Sequence, residues 1–209
     1  KYGHLGKHII TSKIEHKCIL ATAEHLAGKG FEITTLPVDE TGRVRLSDVE
    51  NAIRPDTILI SVMLANNETG SIQPIREIGA LARSRNVLFH TDAAQAVGKI
   101  PIDVNAMNID LLSLSAHKFY GPKGVGAVYV RRRDPRVEVA PLIFGGGQEN
   151  GFRSGTLNVP GIVGLGRAAG IAKERMSEEM THIVNLRNQL HRGLEERIGT
   201  VHLNGHPTE

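Results

Sequence analysis

Leu111-Leu112-Ser113-Leu114-Ser115-Ala116-His117-Lys118-Phe119-Tyr120-Gly121-Pro122-Lys123-Gly124 is the stretch on which the fold turns. It is apolar up to Leu114 and then abruptly polar, the pattern of a buried strand that delivers Ser115, His117 and Lys118 at its carboxyl end. In parallel α/β sheets, ligands bind at that end. A lysine there has two readings. It is a solvated loop residue, or, if desolvated, an amine of lowered pKa that attacks carbonyls.

The flanking sequence repeats the pattern. Strands are expected at 8–12, 31–36, 57–63, 87–91, 110–115 and 126–130. Between them lie helical segments. One runs from about Glu15 to Gly28, with Ile19, Leu20, Ala23 and Leu26 on one face. Ser47 reads as the N-cap of a short helix ending near Ile53, with Glu50 completing a capping box. Pro74 opens a third helix that buries Ile75, Ile78, Leu81 and Ala82. A long helical pattern runs from about Asn158 to Arg197. Strands alternating with helices imply an α/β layer with a mostly parallel sheet. Residues 202–209 read as a strand entering a turn. The chain starts abruptly, and this last strand has no later element to pair with. The expectation is therefore the middle section of a longer protein.

Composition narrows the function classes. The 209 residues are 40% hydrophobic and 22% charged, which suits a globular core. No apolar run approaches the length of a membrane span, and the opening residues do not read as a signal peptide, so none is expected. The net charge of +3 is scattered apart from Arg131-Arg132-Arg133, and aromatics are only 4%, so a nucleic-acid partner is not expected. The single cysteine, Cys18, excludes a disulfide framework and points to a reducing, cytoplasmic setting. The histidines lack metal-site spacing, so no metal is expected.

Four strand ends carry polar sets. Asp92 follows the strand at 87–91, where it would either cap the next segment or hold a protonated pyridine nitrogen such as that of pyridoxal phosphate. Gln95 follows and can donate to a phenolic oxygen. Asn66-Asn67-Glu68 closes the third strand, as Asx turns or as pocket residues. Glu15-His16-Lys17 follows the first. Gly145-Gly146-Gly147-Gln148-Glu149 and Arg153-Ser154-Gly155-Thr156 precede the long helix, as a phosphate cradle or as a hinge.

Five strings then carry a resemblance. They are Thr-Ser-Lys-Ile-Glu-His-Lys at 11–17, Ala-Asn-Asn-Glu-Thr-Gly at 65–70, His-Thr-Asp-Ala-Ala-Gln-Ala-Val-Gly-Lys at 90–99, Ser-Ala-His-Lys-Phe-Tyr-Gly-Pro-Lys-Gly at 115–124 and Gly-Gly-Gly-Gln-Glu-Asn-Gly-Phe-Arg-Ser-Gly-Thr at 145–156. Together they resemble NifS/IscS-type cysteine desulfurases of the class V aminotransferase family, over essentially the whole chain.

The resemblance implies a PLP-dependent transferase of fold type I, a three-layer α/β/α homodimer that binds pyridoxal 5'-phosphate. Residues 1–156 would form the central part of the large domain, and 157–209 the linking helix and the start of a small, incomplete domain. Lys118 would hold the cofactor covalently. His16 would stack on its ring and move protons, and Asp92 would pair with the ring nitrogen. Gln95 would contact the phenolic oxygen, Ser115 and His117 would bind the phosphate, and Asn67 would lie beside substrate and cofactor. Thr156 would reach the phosphate in the partner subunit. The implied reaction converts L-cysteine to L-alanine and passes sulfur, as a persulfide on a loop cysteine, to an iron–sulfur scaffold or another acceptor.

In the family that cysteine lies beyond the position where these residues stop, so Cys18 is expected to be structural and this section alone to be inactive. The family's early phosphate loop and its late carboxylate-binding arginine also fall outside these residues. Selenocysteine lyases share most of the motifs. A truncated, non-catalytic scaffold chain is the alternative from another class.

Overall fold

The computed structural model describes residues 1–208. Six strands form one sheet: β1 (His8–Ser12), β2 (Glu32–Leu36), β3 (Thr57–Ser61), β4 (Leu88–Asp92), β5 (Leu111–Ser115) and β6 (Gly126–Val130). Their order is β2-β1-β3-β4-β5-β6, parallel throughout except for the antiparallel β5–β6 pair. Helices α1 (Lys17–Ala27), α2 (Leu46–Ala52), α3 (Ile75–Ser84) and α4 (Val159–Ile198) flank it in a three-layer α/β/α arrangement.

β1 has neighbours on both sides, and all five of its residues are buried. Burying a polar side chain in such a strand requires a partner. His8 finds two, with Nδ1 2.7 Å from Thr57 Oγ1 and Nε2 2.8 Å from Thr34 Oγ1. α3 turns Ile75, Ile78 and Ala82 inward, as its spacing requires. Each fully buried isoleucine contributes about 1.5–3 kcal/mol. These residues join Ile10, Ile60 and Phe89 in the core.

Two local expectations fail. Ser47 is not an N-cap, because α2 starts one residue earlier, with Arg45 at the cap and no side chain capping it. The Val44 N–H is held by Gln73 Oε1 at 2.8 Å, and Val49 must be fully buried, so the helix begins where those anchors place it. Residues 202–208 form no strand, and Glu209 lies outside the described residues. Gly205, at φ +115°, and Pro207 suit a turn, and the His206 N–H donates to Ser71 Oγ at 3.1 Å.

Of the basic run at 131–133, Arg131 is absorbed into the fold, and Arg132 and Arg133 stay exposed. Arg131 is buried beneath the sheet, with Nε 3.1 Å from Asp110 Oδ1, and it also donates to the Ile109 and Val104 carbonyls and to Asn105 Oδ1. Asp110 takes a second guanidinium from Arg83 at 2.9 Å and the Phe89 N–H at 3.0 Å. Arg132 lies over the Phe152 ring at 5.1 Å. No helix among the described residues is long and apolar enough to cross a membrane.

Removing one partner of a buried ion pair strands the other charge. Asp110→Asn is expected to destabilise the fold by about 3–5 kcal/mol, read as a lower denaturant midpoint at unchanged slope. A loss below about 1 kcal/mol, the level of an exposed pair, would deny Asp110 this anchoring role.

Candidate active site

β1, β3, β4 and β5 are successive neighbours and run the same way, so their carboxyl ends form one row. Asp92 ends β4 opposite Ser113 of β5, and Ser115 ends β5. A 3-10 turn, Ala116–Phe119, then carries His117 and Lys118. Tyr120 closes it in the left-handed region at φ 66°, and the Gly121 N–H returns to the Ala116 carbonyl at 2.9 Å. A Cβ on Gly121 would lie 2.9 Å from that same carbonyl oxygen, so only glycine fits. α4 braces this turn. Ala172 meets Phe119 across Gly98, and Gly164 approaches Pro122 so closely that a Cβ there would collide with it.

Hydrogen bonds stitch the strand-end loops together. Glu15 Oε1 accepts from Ser12 Oγ at 2.6 Å and from the Met63 N–H at 2.8 Å. Asn66 Nδ2 donates to the Ile14 carbonyl at 2.9 Å, and Asn66 Oδ1 accepts the Glu68 and Thr69 N–H groups. The Leu64 N–H donates to the Asp92 carbonyl, and the Ala93 N–H to the Ser113 carbonyl. Lys99 Nζ donates to the carbonyls of both Gln95 and Lys118 at 3.1 Å. Glu15 and Lys99 are therefore the joints of the site. Both lie inside the quoted strings, but nothing in their spacing marked them out.

The expected site residues differ from these joints. The side chains of Asn67, Gln95, Ser115, His117, Lys118 and Thr156 form no hydrogen bond among the described residues. Asn66, not Asn67, makes the Asx turn, which leaves Asn67 exposed. Lys118 is exposed rather than desolvated by these elements; it is Lys99 that is partly buried. Burial, and then the charge of Lys118, hold the Lys99 pKa below its ordinary value. Thr156 lies on an exposed loop that forms no hydrogen bond with the four strand ends. α4 is capped by Asn158 Oδ1 on the Gly161 N–H, so the glycine-rich segment does not itself open that helix.

Asp92 is the electrostatic centre. It is 8% exposed, and Oδ1 accepts the Ala94 N–H at 2.9 Å, the local bond expected of a cap. Its other oxygen accepts no hydrogen bond among the described residues. Burial pushes the Glu15 carboxyl up to about 7, helped by the Asp92 charge. Glu15 Oε2, Thr11 Oγ1 and Thr91 Oγ1 are buried without partners among the described residues. His90 joins Ser61 Oγ at 2.8 Å to Ser113 Oγ at 3.2 Å across three strands. Burial lowers its pKa to about 4 against the opposing pull of Asp92.

Pyridoxal phosphate fits this set. A buried carboxylate with one unengaged oxygen suits a protonated ring nitrogen, and an exposed primary amine on the turn after the adjacent strand suits its carbonyl. Ser115 and His117 supply free donors for a phosphate. Among the described residues, no three His, Cys, Asp or Glu side chains cluster as a metal site would require.

Residues 3–209 match the family described as aminotransferase class-V. The cysteine desulfurase IscS of Clostridium botulinum is 58% identical over 200 residues, 96% of this chain and 50% of its own length. The mitochondrial cysteine desulfurase of Saccharomyces cerevisiae is 56% identical over 206 residues, 99% of this chain and 41% of its own. Among solved structures, a NifS-like protein superposes with a TM-score of 0.89 at 47% identity, covering 93% of this chain and 53% of that one. DndA from Streptomyces lividans gives 0.84 at 45% identity, covering 90% and 53%. The chain thus spans about half the length of the curated relatives it matches, or somewhat less.

The two perturbed groups predict opposing pH dependences. Glu15 holds its proton in the fold up to about pH 7, whereas an unfolded glutamate loses it near 4.5. Its contribution is full below pH 4.5 and is lost as pH rises to about 7. His90 resists protonation down to about pH 4, whereas an unfolded histidine charges near 6.5. Its contribution is full above pH 6.5 and is lost as pH falls towards 4. His8, lowered by burial, adds to the His90 side. Glu15→Gln should unmask the histidines, so that stability rises with pH between about 4 and 6.5 at up to roughly 1.4 kcal/mol per unit. His90→Gln should make it fall more steeply from about 4.5 to 7 than in the parent. Chemical unfolding across that range measures both, and a Glu15→Gln curve parallel to the parent would show that Glu15 titrates as an ordinary glutamate.

Proposed function

Because the chain belongs to the class-V aminotransferase family, we propose that it forms the cofactor-binding part of a pyridoxal-phosphate-dependent cysteine desulfurase. L-cysteine and an enzyme thiol would yield L-alanine and an enzyme persulfide: the substrate C–S bond breaks, an S–S bond forms, and the vacated carbon gains a proton. The persulfide would pass its sulfur to an iron–sulfur scaffold or another acceptor. One observation carries the reading. Asp92, with its unengaged oxygen, stands at the end of β4, and Lys118 emerges from adjacent β5, with Lys99 tying the two loops together. The names of the similar proteins support the choice of reaction.

The bound cofactor supplies an electron sink for the negative charge that develops on the substrate's α-carbon. The remaining work falls to the chain. The Lys118 amine would hold the cofactor through its carbonyl carbon. Asp92 retains the proton on the ring nitrogen, because a buried carboxylate with a free oxygen is stabilised by that cation. The Gln95 amide donates to the phenolic oxygen, and Ser115 and His117 donate to the phosphate. Asn67 lies beside the substrate, and His16 moves its protons. Thr156 serves the cofactor of a second copy, in keeping with its separation from the strand ends. Residues 1–156 belong to the large domain and 157–209 to the link with a small one. Cys18, the one thiol present, is assigned no sulfur-accepting role.

Borohydride reduction after incubation with pyridoxal phosphate, followed by peptide mapping, tests the assignment. The pyridoxyl label is expected on Lys118 and lost in Lys118→Ala. Asp92→Asn should retain the label but lower alanine release by the intact protein about 10²–10³-fold, the usual effect of removing one charge-stabilising contact. Label elsewhere, or full turnover in Asp92→Asn, would overturn the reading. Comparing alanine release from cysteine and selenocysteine separates a desulfurase from a selenocysteine lyase.

A further inference from the structure

α1 begins on a histidine rather than on the usual serine or aspartate. His16 is the N-cap, and its Nδ1 accepts the backbone N–H of Cys18 at 3.2 Å. The Cys18 thiol lies against the same atom, with Sγ 3.0 Å from Nδ1. A neutral imidazole carries its proton on one ring nitrogen only. A nitrogen that receives a backbone N–H cannot be the protonated one, so Nδ1 offers its lone pair and the thiol can meet it only as a donor. Burial, with the charge of Asp92, holds the thiol pKa above its ordinary value, so Cys18 retains the proton it donates. The other ring nitrogen, Nε2, engages no partner among the described residues.

We infer that Cys18 is a positioning residue for His16: its backbone N–H and its thiol converge on Nδ1 and fix the neutral imidazole in the Nε2–H form. His16 then presents an N–H, not a lone pair, from its free nitrogen. To accept a proton at Nε2, the ring would first have to move its own proton to Nδ1 and give up the cap of α1. His8 and His90 contrast with it, since both nitrogens of each are engaged by hydroxyls.

The consequence rests on the reading of His16 as a proton-moving residue: it enters the reaction neutral, with Nε2–H as a hydrogen-bond donor. The tautomer itself rests on the start of α1 alone. Failure of the cofactor assignment would appear as an unlabelled Lys118 and would leave the tautomer untouched.

Magic-angle-spinning NMR of the intact protein, labelled with 15N in its histidine rings, reads the tautomer directly. The His16 signals are identified by their loss in His16→Gln. Above the pH at which the ring is cationic, Nε2 is expected at a protonated, pyrrole-type shift and Nδ1 at an unprotonated, pyridine-type shift. Cys18→Ala keeps the backbone donor, so the tautomer should persist while the Nδ1 signal moves as the thiol bond is lost. Cys18→Pro removes both donors at a first-turn position that tolerates proline, and mixed tautomers should appear. A protonated Nδ1 in the parent, or an Nδ1 signal unmoved in Cys18→Ala, would overturn the inference, and neither of these depends on the proline variant folding.

Discussion

One of the buried carboxylates, Asp110, fixes the end of the sheet opposite the site. It receives guanidinium groups from α3 and from the end of β6, together with the N–H of Phe89 in β4. Charge inside a protein persists only when it is paired and hydrogen bonded, so these elements have one way to meet. β5 starts at the next residue, and β4 starts one residue before Phe89. Each is five residues long, so their far ends reach a set height. A slip of one residue would turn each strand's side chains to the other face. The placement of Asp92 beside the Lys118 turn is therefore decided at the bottom of the sheet.

At the top, polar residues divide into two kinds. Glu15 through Oε1, Asn66 and Lys99 hydrogen bond within the chain, and each joins neighbouring loops. Asn67, Gln95, Ser115, His117 and Lys118 leave theirs open to a ligand. The first kind makes the second useful, since a donor aimed at a ligand has value only if its backbone is held. The neighbours Asn66 and Asn67 show the division most directly: the same side chain serves as a turn in one and stands free in the other.

The sequence made the strands legible because their hydrophobic runs are short and bounded by polar sets. It also placed the long helix to within a residue or so at each end, because an asparagine cap precedes it and Gly199 follows it. Ser47 misled because a cap is chosen by where the core draws the helix in, and Val49 together with Gln73 decided that from a distance. Residues 202–208 misled because local pattern cannot say whether a sheet edge is available. The positions of Asp92, Ser115 and Lys118 followed from strand ends alone. Glu15 and Lys99 did not, because their roles depend on loops that only the folded sheet brings together. The sequence showed the Arg131-Arg132-Arg133 run but not that Asp110 holds its first member.

The antiparallel β5–β6 pair also affects the order in which the chain can fold. Lys118 lies in the loop that joins these two strands, which are near neighbours in sequence. The pairing of β1 with β3 must instead close a much longer loop, at an entropic cost higher by on the order of 1 kcal/mol. The reactive amine is thus carried by one of the most local contacts in the sheet, while the strand preceding His16 relies on one of the most distant. Local contacts form readily and distant ones slowly. The two sides of the candidate site therefore differ in kinetic character: the lysine side can organise within its own hairpin, and the histidine side waits for the middle of the sheet to close.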